Sequence, residues 1–232
     1  MRQLHVIAPP SLDKTRWFGY LSKLYSEKHP VVILTKQPQS FPVRDQEEWM
    51  KQVSLKVLPQ QTSLYEEVNS QGTNNQPEVT GESVYLLDSY KELFPLGEHP
   101  TVLFTTGDKQ QVESLEKYLK WLISQQVATE DKKTIHLVLY GLMQDSKLSE
   151  IYFEKRIKSL FEGTAYQLVC HMYPFDEMDQ TRIQENEYEN RYYFKSFSKS
   201  YKSLMAQMLE VLGVKDAKER SAWMKLAERS KK

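Results

Sequence analysis

Short apolar runs alternate with segments of helical periodicity along most of this chain, and this alternation limits the fold more than any other feature. The first apolar run ends at Ile7 and the second covers Val31–Leu34. Between them, Lys14–Lys28 carries large side chains at helical spacing, namely Trp17, Tyr20, Leu21, Leu24 and Tyr25. A strand, a helix and a second strand in this order form a β-α-β unit, whose two strands lie parallel.

The alternation continues beyond this first unit. We predict further strands at Val53–Leu58, Ser83–Leu87, Thr101–Thr106, Thr134–Tyr140 and Gln167–Met172. We predict further helices at Gln46–Lys51, Gln110–Gln126, Leu148–Phe161 and Phe197–Leu212. The polar segment Asn69–Ser83 contains two glycines and a proline, so we predict an exposed loop there. The expected fold is α/β, with a single doubly wound, mostly parallel sheet and helices on both faces.

Composition restricts the ligand class and the location. The chain has 31 basic and 31 acidic residues, and this balance weighs against the basic surface that duplex DNA binders carry. The single cysteine, Cys170, excludes an intramolecular disulfide, and we predict that it is a buried thiol. No signal pattern is visible, and no apolar run approaches the roughly 20 residues that span a bilayer. We therefore predict a cytoplasmic protein, with peripheral attachment at the inner face of the membrane as the alternative.

We divide the chain into one α/β domain, residues 1–213, and a basic amphipathic tail, residues 214–232. The tail contains seven basic and three acidic residues, and Trp223 and Lys225 lie in its centre. Three interpretations stay open for it. A basic amphipathic helix can lie on an anionic membrane, dock in a partner's groove, or pack at the surface of its own domain through Trp223.

The connection after the first strand reads Ala8-Pro9-Pro10-Ser11-Leu12-Asp13-Lys14-Thr15. By position it resembles the phosphate-binding loop of the ParA/MinD family of P-loop ATPases, including the divergent TadZ/CpaE type, whose pattern reads GKGGVGKT. Val84–Asp88 resembles the strand that ends in the family's Mg²⁺-associated aspartate. Tyr173–Asp176 resembles a segment that packs near the nucleotide base, and Ser196–Leu212 resembles the closing helix. The order of these segments identifies the chain as a degenerate member of that family.

The loop departs from the family where it should hold phosphate. The family's glycines allow close approach of backbone N–H groups, whereas Pro9 and Pro10 have no N–H to donate. Asp13 adds negative charge next to the expected phosphates. Pro9 also replaces the family's second lysine, which reaches across the dimer to the partner's nucleotide. We therefore predict no catalytic residue, no metal and no cofactor.

The alternative is residual ATP and Mg²⁺ binding through Lys14, Thr15 and Asp88. For Lys14 and Thr15 the competing interpretation is an ordinary helix start, and for Asp88 it is a helix cap or turn residue. The resemblance also implies a homodimer as one state of the chain.

The run Tyr188–Phe197 mixes aromatic residues with Arg191 and Lys195. It is compatible with stacking on single-stranded nucleic acid, with a packed strand or loop edge, or with a protein contact. Glu187 and Glu189 dilute its charge, so we do not expect nucleic acid. We predict partner or membrane contacts through Tyr192, Tyr193, Trp223 and Lys225.

These observations favour a non-catalytic ParA/MinD-like adaptor or spatial-organisation protein that acts through protein–protein contacts. By analogy of fold, it would serve a pilus, conjugation or secretion apparatus. Two alternatives stay open: a weakly active Mg-ATP-dependent ATPase of the ParA/MinD type, and a partitioning or replication accessory factor.

Overall fold

The computed structural model describes residues 2–9, 14–37, 48–50, 52–71, 83–126, 131–142, 150–189 and 192–229. In these residues the strands are β1 Arg2–Ile7, β2 Val31–Thr35, β3 Glu48–Met50, β4 Val53–Val57, β5 Val84–Asp88, β6 Thr101–Thr105, β7 Lys133–Leu142 and β8 Tyr166–Pro174. The helices are α1 Lys14–Ser26, α2 Leu64–Gln71, α3 Lys109–Ser124, α4 Glu150–Lys158, α5 Glu177–Tyr188, α6 Lys199–Val211 and α7 Ala217–Arg229. A 3₁₀ turn, Ser159–Phe161, follows α4.

The strands form one sheet in the order β3-β4-β2-β5-β1-β6-β7-β8. Neighbouring strands are parallel in the pairs β1–β6, β2–β4, β2–β5, β6–β7 and β7–β8, whereas β3 runs antiparallel to β4. The chain steps away from β1 in one direction through β2 and in the other through β6. A chain that winds both ways from a central strand places its crossover helices on both faces. The predicted α/β fold with a doubly wound, mostly parallel sheet is confirmed.

The chain forms two compact units. The first contains Met1–Leu4, Asp13–Asp88 and Glu177–Lys232, and the second contains His5–Leu12 and Ser89–Asp176. The helix α7 of the predicted tail therefore belongs to the first unit.

The core of the first unit is built around α1, because the large side chains at helical spacing on that helix are almost fully inaccessible to solvent. Four aromatic rings surround Tyr20, with ring centroids between 5.1 and 5.6 Å away and planes nearly perpendicular to its own; they belong to Tyr192, Phe194, Phe197 and Tyr201. Edge-to-face pairs of this kind add stabilisation beyond the burial of apolar area. The Tyr25 hydroxyl donates to the Met208 carbonyl at 2.9 Å, which attaches α1 to α6.

The core of the second unit lies where α3 covers its strands. Asp108 caps the helix, because its carboxylate accepts a hydrogen bond from the Gln111 N–H at 3.0 Å. The inward face of α3 buries the residues that the periodicity predicts, among them Val112, Leu115, Leu119 and Leu122. The cap and the buried face of α3 therefore agree with the helix that its sequence predicts.

Three segments differ from the prediction. The predicted helix Gln46–Lys51 is wrong, because Glu48–Met50 forms β3 and pairs with β4. Gln52 adopts a left-handed φ of 64°, as expected in a tight turn before β4. The helices α2 and α5 were not predicted, and the first residues of the predicted loop Asn69–Ser83 complete α2. The rest of that loop, residues 72–82, lies outside the described residues.

Candidate functional site

The helix α1 begins at Lys14, directly after the connection that resembles a phosphate-binding loop. Ala8 and Pro9 are buried at the start of this connection. Residues 10–13 and the side chains of Lys14 and Thr15 lie outside the described part of the chain. The loss of phosphate binding by this loop therefore stays a prediction from the sequence, as does the alternative of residual binding through Lys14 and Thr15.

Asp88 lies at the carboxyl end of β5, and its side chain is buried. The Thr35 hydroxyl, at the carboxyl end of β2, donates to Asp88 Oδ2 at 3.0 Å. The Gln37 N–H in turn donates to Thr35 Oγ1 at 2.9 Å. These two hydrogen bonds fix the orientation of the Thr35 hydroxyl towards the carboxylate. Thr35 therefore has a structural role at the carboxyl ends of β2 and β5.

The ligand set around Asp88 is small for a resident metal ion. Mg²⁺ in nucleotide sites is usually bound by one or two carboxylates together with substrate phosphates. Among the described residues, no group of three or more His, Cys, Asp or Glu side chains could hold a metal ion. Asp88 with Thr35 fits Mg²⁺ only when a nucleotide supplies the remaining oxygen ligands.

Tyr192 points into the first unit. Its ring lies so close to Gly19 of α1 that a Cβ atom there would be 2.1 Å from Tyr192 Cε1. The Asn186 side chain donates to the Tyr20 hydroxyl at 2.8 Å and to the Tyr193 carbonyl at 3.1 Å. The aromatic run is thus packed around Tyr20. Tyr192 is buried and Tyr193 is half-buried, so of the predicted contact pair only Tyr193 offers surface.

Trp223 also points inward, with 1% of its surface exposed. Its ring lies edge-on to Tyr25 at 6.5 Å and tilted against His29 at 5.5 Å. Lys28 Nζ lies 5.1 Å from the centre of the Trp223 ring. Contact with a partner or membrane through Trp223 would require α7 to leave α1, whereas Lys225 is exposed.

None of the described helices has the length and apolar character that crossing a bilayer requires.

The structure brings together one group of residues that the sequence patterns did not single out. A cavity of about 390 Å³ in the second unit lies between the start of the loop after β5 and the outer face of α3. Its lining residues are Tyr90, Lys91, Ser114, Lys117, Tyr118 and Trp121. We call this the aromatic pocket.

Three rings form the wall of the aromatic pocket. The ring centroids of Tyr90 and Tyr118 are 5.0 Å apart, and those of Tyr118 and Trp121 are 5.8 Å apart. The Tyr118 hydroxyl oxygen lies 2.8 Å from the carbonyl oxygens of both Ser89 and Glu92, which share its single proton. Burial raises the pKa of Tyr90. Both hydroxyls are directed at backbone carbonyls, and the rings offer mainly carbon to the cavity.

Two ammonium groups stand at the rim of the aromatic pocket. Lys91 and Lys117 are exposed, and Lys91 Nζ lies 5.8 Å from the centre of the Tyr90 ring. Lys91 has a left-handed φ of 68°, which is uncommon for a residue other than glycine. A signal that could have found this site is Trp121, a large aromatic residue outside the apolar face of α3, which is 43% exposed in the structure.

A histidine pair and the single cysteine lie on β7 and β8. His136 Nδ1 and His171 Nε2 lie 2.9 Å apart across β7 and β8. Burial, and then the neighbouring His171, lowers the pKa of His136 to about 4. Cys170 is half-exposed, so the prediction of a buried thiol is wrong: it lies on β8, which pairs with β7 on only one side in the described residues.

No family model matches the chain, and no curated protein is significantly similar to it. Any assignment of function therefore depends on the sites described above.

Proposed function

We propose that this chain is a non-catalytic adaptor or spatial-organisation protein, built on a degenerate ParA/MinD-like domain and acting through protein–protein contacts. The observation that carries this proposal is the aromatic pocket, where Tyr90, Tyr118 and Trp121 line a cavity at the surface of the second unit. Tyr and Trp are the residues that most often dominate the binding energy of protein interfaces.

The chemistry of the pocket favours binding over catalysis. Its six lining residues include no histidine and no carboxylate, so they provide no general acid–base pair at neutral pH. Both tyrosine hydroxyls are occupied by backbone carbonyls. The Tyr90 hydroxyl donates to the Ser114 carbonyl at 3.4 Å, and the Tyr118 hydroxyl lies against the carbonyls of Ser89 and Glu92. Ordered aromatic rings and two lysines suit recognition of a partner.

The sequence of the connection after β1 supports the same proposal. Two prolines remove backbone donors, and Asp13 places a negative charge beside the expected phosphates. A domain with this loop keeps the architecture of a nucleotide switch without its anion site. Membership of a pilus, conjugation or secretion apparatus belongs to the proposal as an analogy of fold.

A second candidate is a weakly active Mg-ATP-dependent ATPase. It is favoured by the start of α1 at Lys14 and by the Asp88 carboxylate, which Thr35 orients at the carboxyl edge of the sheet. On this alternative, Lys14, Thr15 and Asp88 would hold Mg-ATP, and the pocket would be a separate surface.

Affinity capture from the native cell tests the proposal. The immobilised wild-type protein is compared with Trp121→Ser, which removes a pocket wall, and with Leu226→Ser, a matched change at a residue of α7 that is 40% exposed. We expect a set of proteins enriched by the wild type and by Leu226→Ser, and depleted with Trp121→Ser. Enrichment of no protein above a blank resin, together with ATP hydrolysis that Lys14→Ala abolishes, would replace this proposal by the ATPase.

A further inference from the structure

We infer that the aromatic pocket binds an acidic peptide segment that inserts one large apolar side chain between Tyr90 and Trp121. This inference rests on the proposed function and names the chemistry of the partner. The pocket wall, the charge at its rim, the loop that shapes it and its opening to solvent each favour such a segment as the ligand.

The wall of the pocket selects an apolar side chain. Because the Tyr118 hydroxyl shares its proton between two backbone carbonyls, the ring cannot turn that hydroxyl into the cavity without losing this shared hydrogen bond. The tilted arrangement of Tyr90, Tyr118 and Trp121 leaves aromatic faces and edges as the lining. A volume of about 390 Å³ is at the lower end of the range for ligand sites, which suits one large side chain and its backbone.

The charge at the rim selects acidic neighbours for that side chain. Of the carboxylates on α3, Glu116 pairs with Arg156 through two hydrogen bonds, and Glu113 lies 3.9 Å from Lys109. Within the described residues, neither Lys91 nor Lys117 forms an ion pair. The lining of the pocket therefore contains two ammonium groups and no carboxylate.

The loop that carries Tyr90 and Lys91 is held in shape before any ligand arrives. Gln126, after the end of α3, accepts from the Leu96 N–H at 2.9 Å and donates to the Phe94 carbonyl at 3.2 Å. Within this loop Lys91 adopts a left-handed φ of 68°, which is uncommon for a residue other than glycine. A preformed site loses less conformational entropy on binding than a mobile one.

The opening of the pocket favours a peptide over a small molecule. Sites for small molecules usually enclose most of the ligand, whereas Trp121 keeps 43% of its surface exposed at this pocket. Leu93, in the same loop, is 54% exposed and offers a further apolar contact for a longer chain. Aromatic rings beside lysines also suit single-stranded nucleic acid, so that class is tested as a rival.

Fluorescence anisotropy with synthetic peptides tests the inference on the full chain. The probes are fluorescein-labelled octapeptides of Glu with a central Trp, Phe or Leu. Control probes replace every Glu by Gln or the central residue by Ser, and an oligothymidylate of eight nucleotides tests the nucleic-acid rival. The protein variants are the pair Lys91→Gln with Lys117→Gln, and Trp121→Ser. Lys120→Gln, an exposed lysine of α3 outside the lining, is the matched control.

We expect saturable binding of at least one acidic apolar peptide by the wild type. The double lysine variant should weaken it roughly tenfold, as expected for the loss of two partly exposed ion pairs. Trp121→Ser should weaken it at least as much, and Lys120→Gln should leave it unchanged. Lys91→Gly, which removes the charge and relieves the left-handed φ, should bind weakly while unfolding at a higher temperature than the wild type.

The inference is overturned if no acidic apolar peptide binds the wild type, if the pocket variants bind as the wild type does, or if oligothymidylate binds more tightly than every peptide. Such a result leaves the proposed function standing when affinity capture still enriches partners through another surface. Capture of no partner overturns the proposed function itself.

Discussion

The Thr35 hydroxyl donates a hydrogen bond to Asp88 Oδ2 at 3.0 Å and so joins the carboxyl ends of β2 and β5. In doubly wound folds, ligands bind outside the carboxyl ends of the strands. Here the buried carboxylate at that edge is bonded to a hydroxyl of its own chain, and the hydroxyl is fixed by the Gln37 N–H. This arrangement stabilises the sheet edge whether or not a ligand reaches it.

We predict that Thr35→Val destabilises the protein by about 1–3 kcal/mol, because it removes a donor from a buried carboxylate. The control is Thr181→Val, where an exposed hydroxyl donates to the Glu177 carbonyl in the same helix. That change should stay within about 0.5 kcal/mol. Urea denaturation at neutral pH measures both, and equal small effects would show that the Thr35–Asp88 hydrogen bond contributes little to stability.

Gly19 provides a second prediction, since a Cβ atom there would be 2.1 Å from the Tyr192 ring. Ala normally stabilises a helix relative to Gly by about 1 kcal/mol. We expect Gly19→Ala to destabilise this protein by about 1–3 kcal/mol, as overpacking does. In a Tyr192→Ala background the same change should be neutral or stabilising, because the obstructing ring is gone. A double-mutant cycle from denaturation curves measures the coupling, and additive effects would contradict the close packing of these two residues.

Trp223 gives a third prediction, which concerns the tail. Because its ring is buried against Tyr25 and His29, we expect Trp223→Ala to cost about 3–5 kcal/mol. The matched change Lys225→Ala, at an exposed position of the same helix, should alter stability by less than about 0.5 kcal/mol. A small cost for Trp223→Ala would mean that α7 is free to engage a membrane or a partner, as the basic composition of the tail suggested.

The free energy of unfolding should decrease on mild acidification, because the pKa values of His5 and His136 are lowered in the folded protein. Burial, and then His99, lowers the pKa of His5 to about 3, and His136 is lowered to about 4, from an ordinary value of 6.5. Between pH 6.5 and these values, the unfolded chain binds protons that the folded chain does not. The stabilisation that these neutral histidines give the folded state is therefore complete above pH 6.5, and it is lost as the pH decreases towards 4.

Denaturation curves between pH 8 and pH 5 check this direction. Each such histidine contributes at most about 1.4 kcal/mol per pH unit, and the partly exposed His136 contributes less than His5. His136→Gln, which cannot take up a proton, should flatten the pH dependence relative to the wild type. The change that His136→Gln makes to the free energy of unfolding at pH 8 serves as the reference, because His136 is neutral there in both the folded and the unfolded chain. An unchanged slope would contradict the pKa assigned to His136.

The sequence was sufficient for elements whose burial follows a simple period. Val31–Thr35 is a run of apolar and β-branched residues and forms a strand, and α3 buries the face that its period predicts. By contrast, α5 buries polar residues. Asp179 accepts from the Ser198 N–H at 2.7 Å, and Asn186 donates to Tyr20. No apolar period marks such a helix, because its polar residues are satisfied by groups distant in the sequence.

The aromatic pocket was missed for a related reason. Tyr118 has the spacing of a core residue, and it does contact the protein interior through its hydroxyl. The loop after β5 creates the site, because it brings Tyr90 and Lys91 against Tyr118 and Trp121 of α3. That approach depends on tertiary contacts such as those of Gln126, which no local pattern in the sequence reveals.

Calorimetric titration of Mg-ATP into the full chain at high protein concentration, beside Lys14→Ala, tests most directly whether this domain works without nucleotide chemistry. We expect both titrations to show only the heat of dilution, with no binding heat. We also expect that added nucleotide does not raise the unfolding temperature of either protein. Micromolar binding by the wild type that Lys14→Ala abolishes would contradict this expectation.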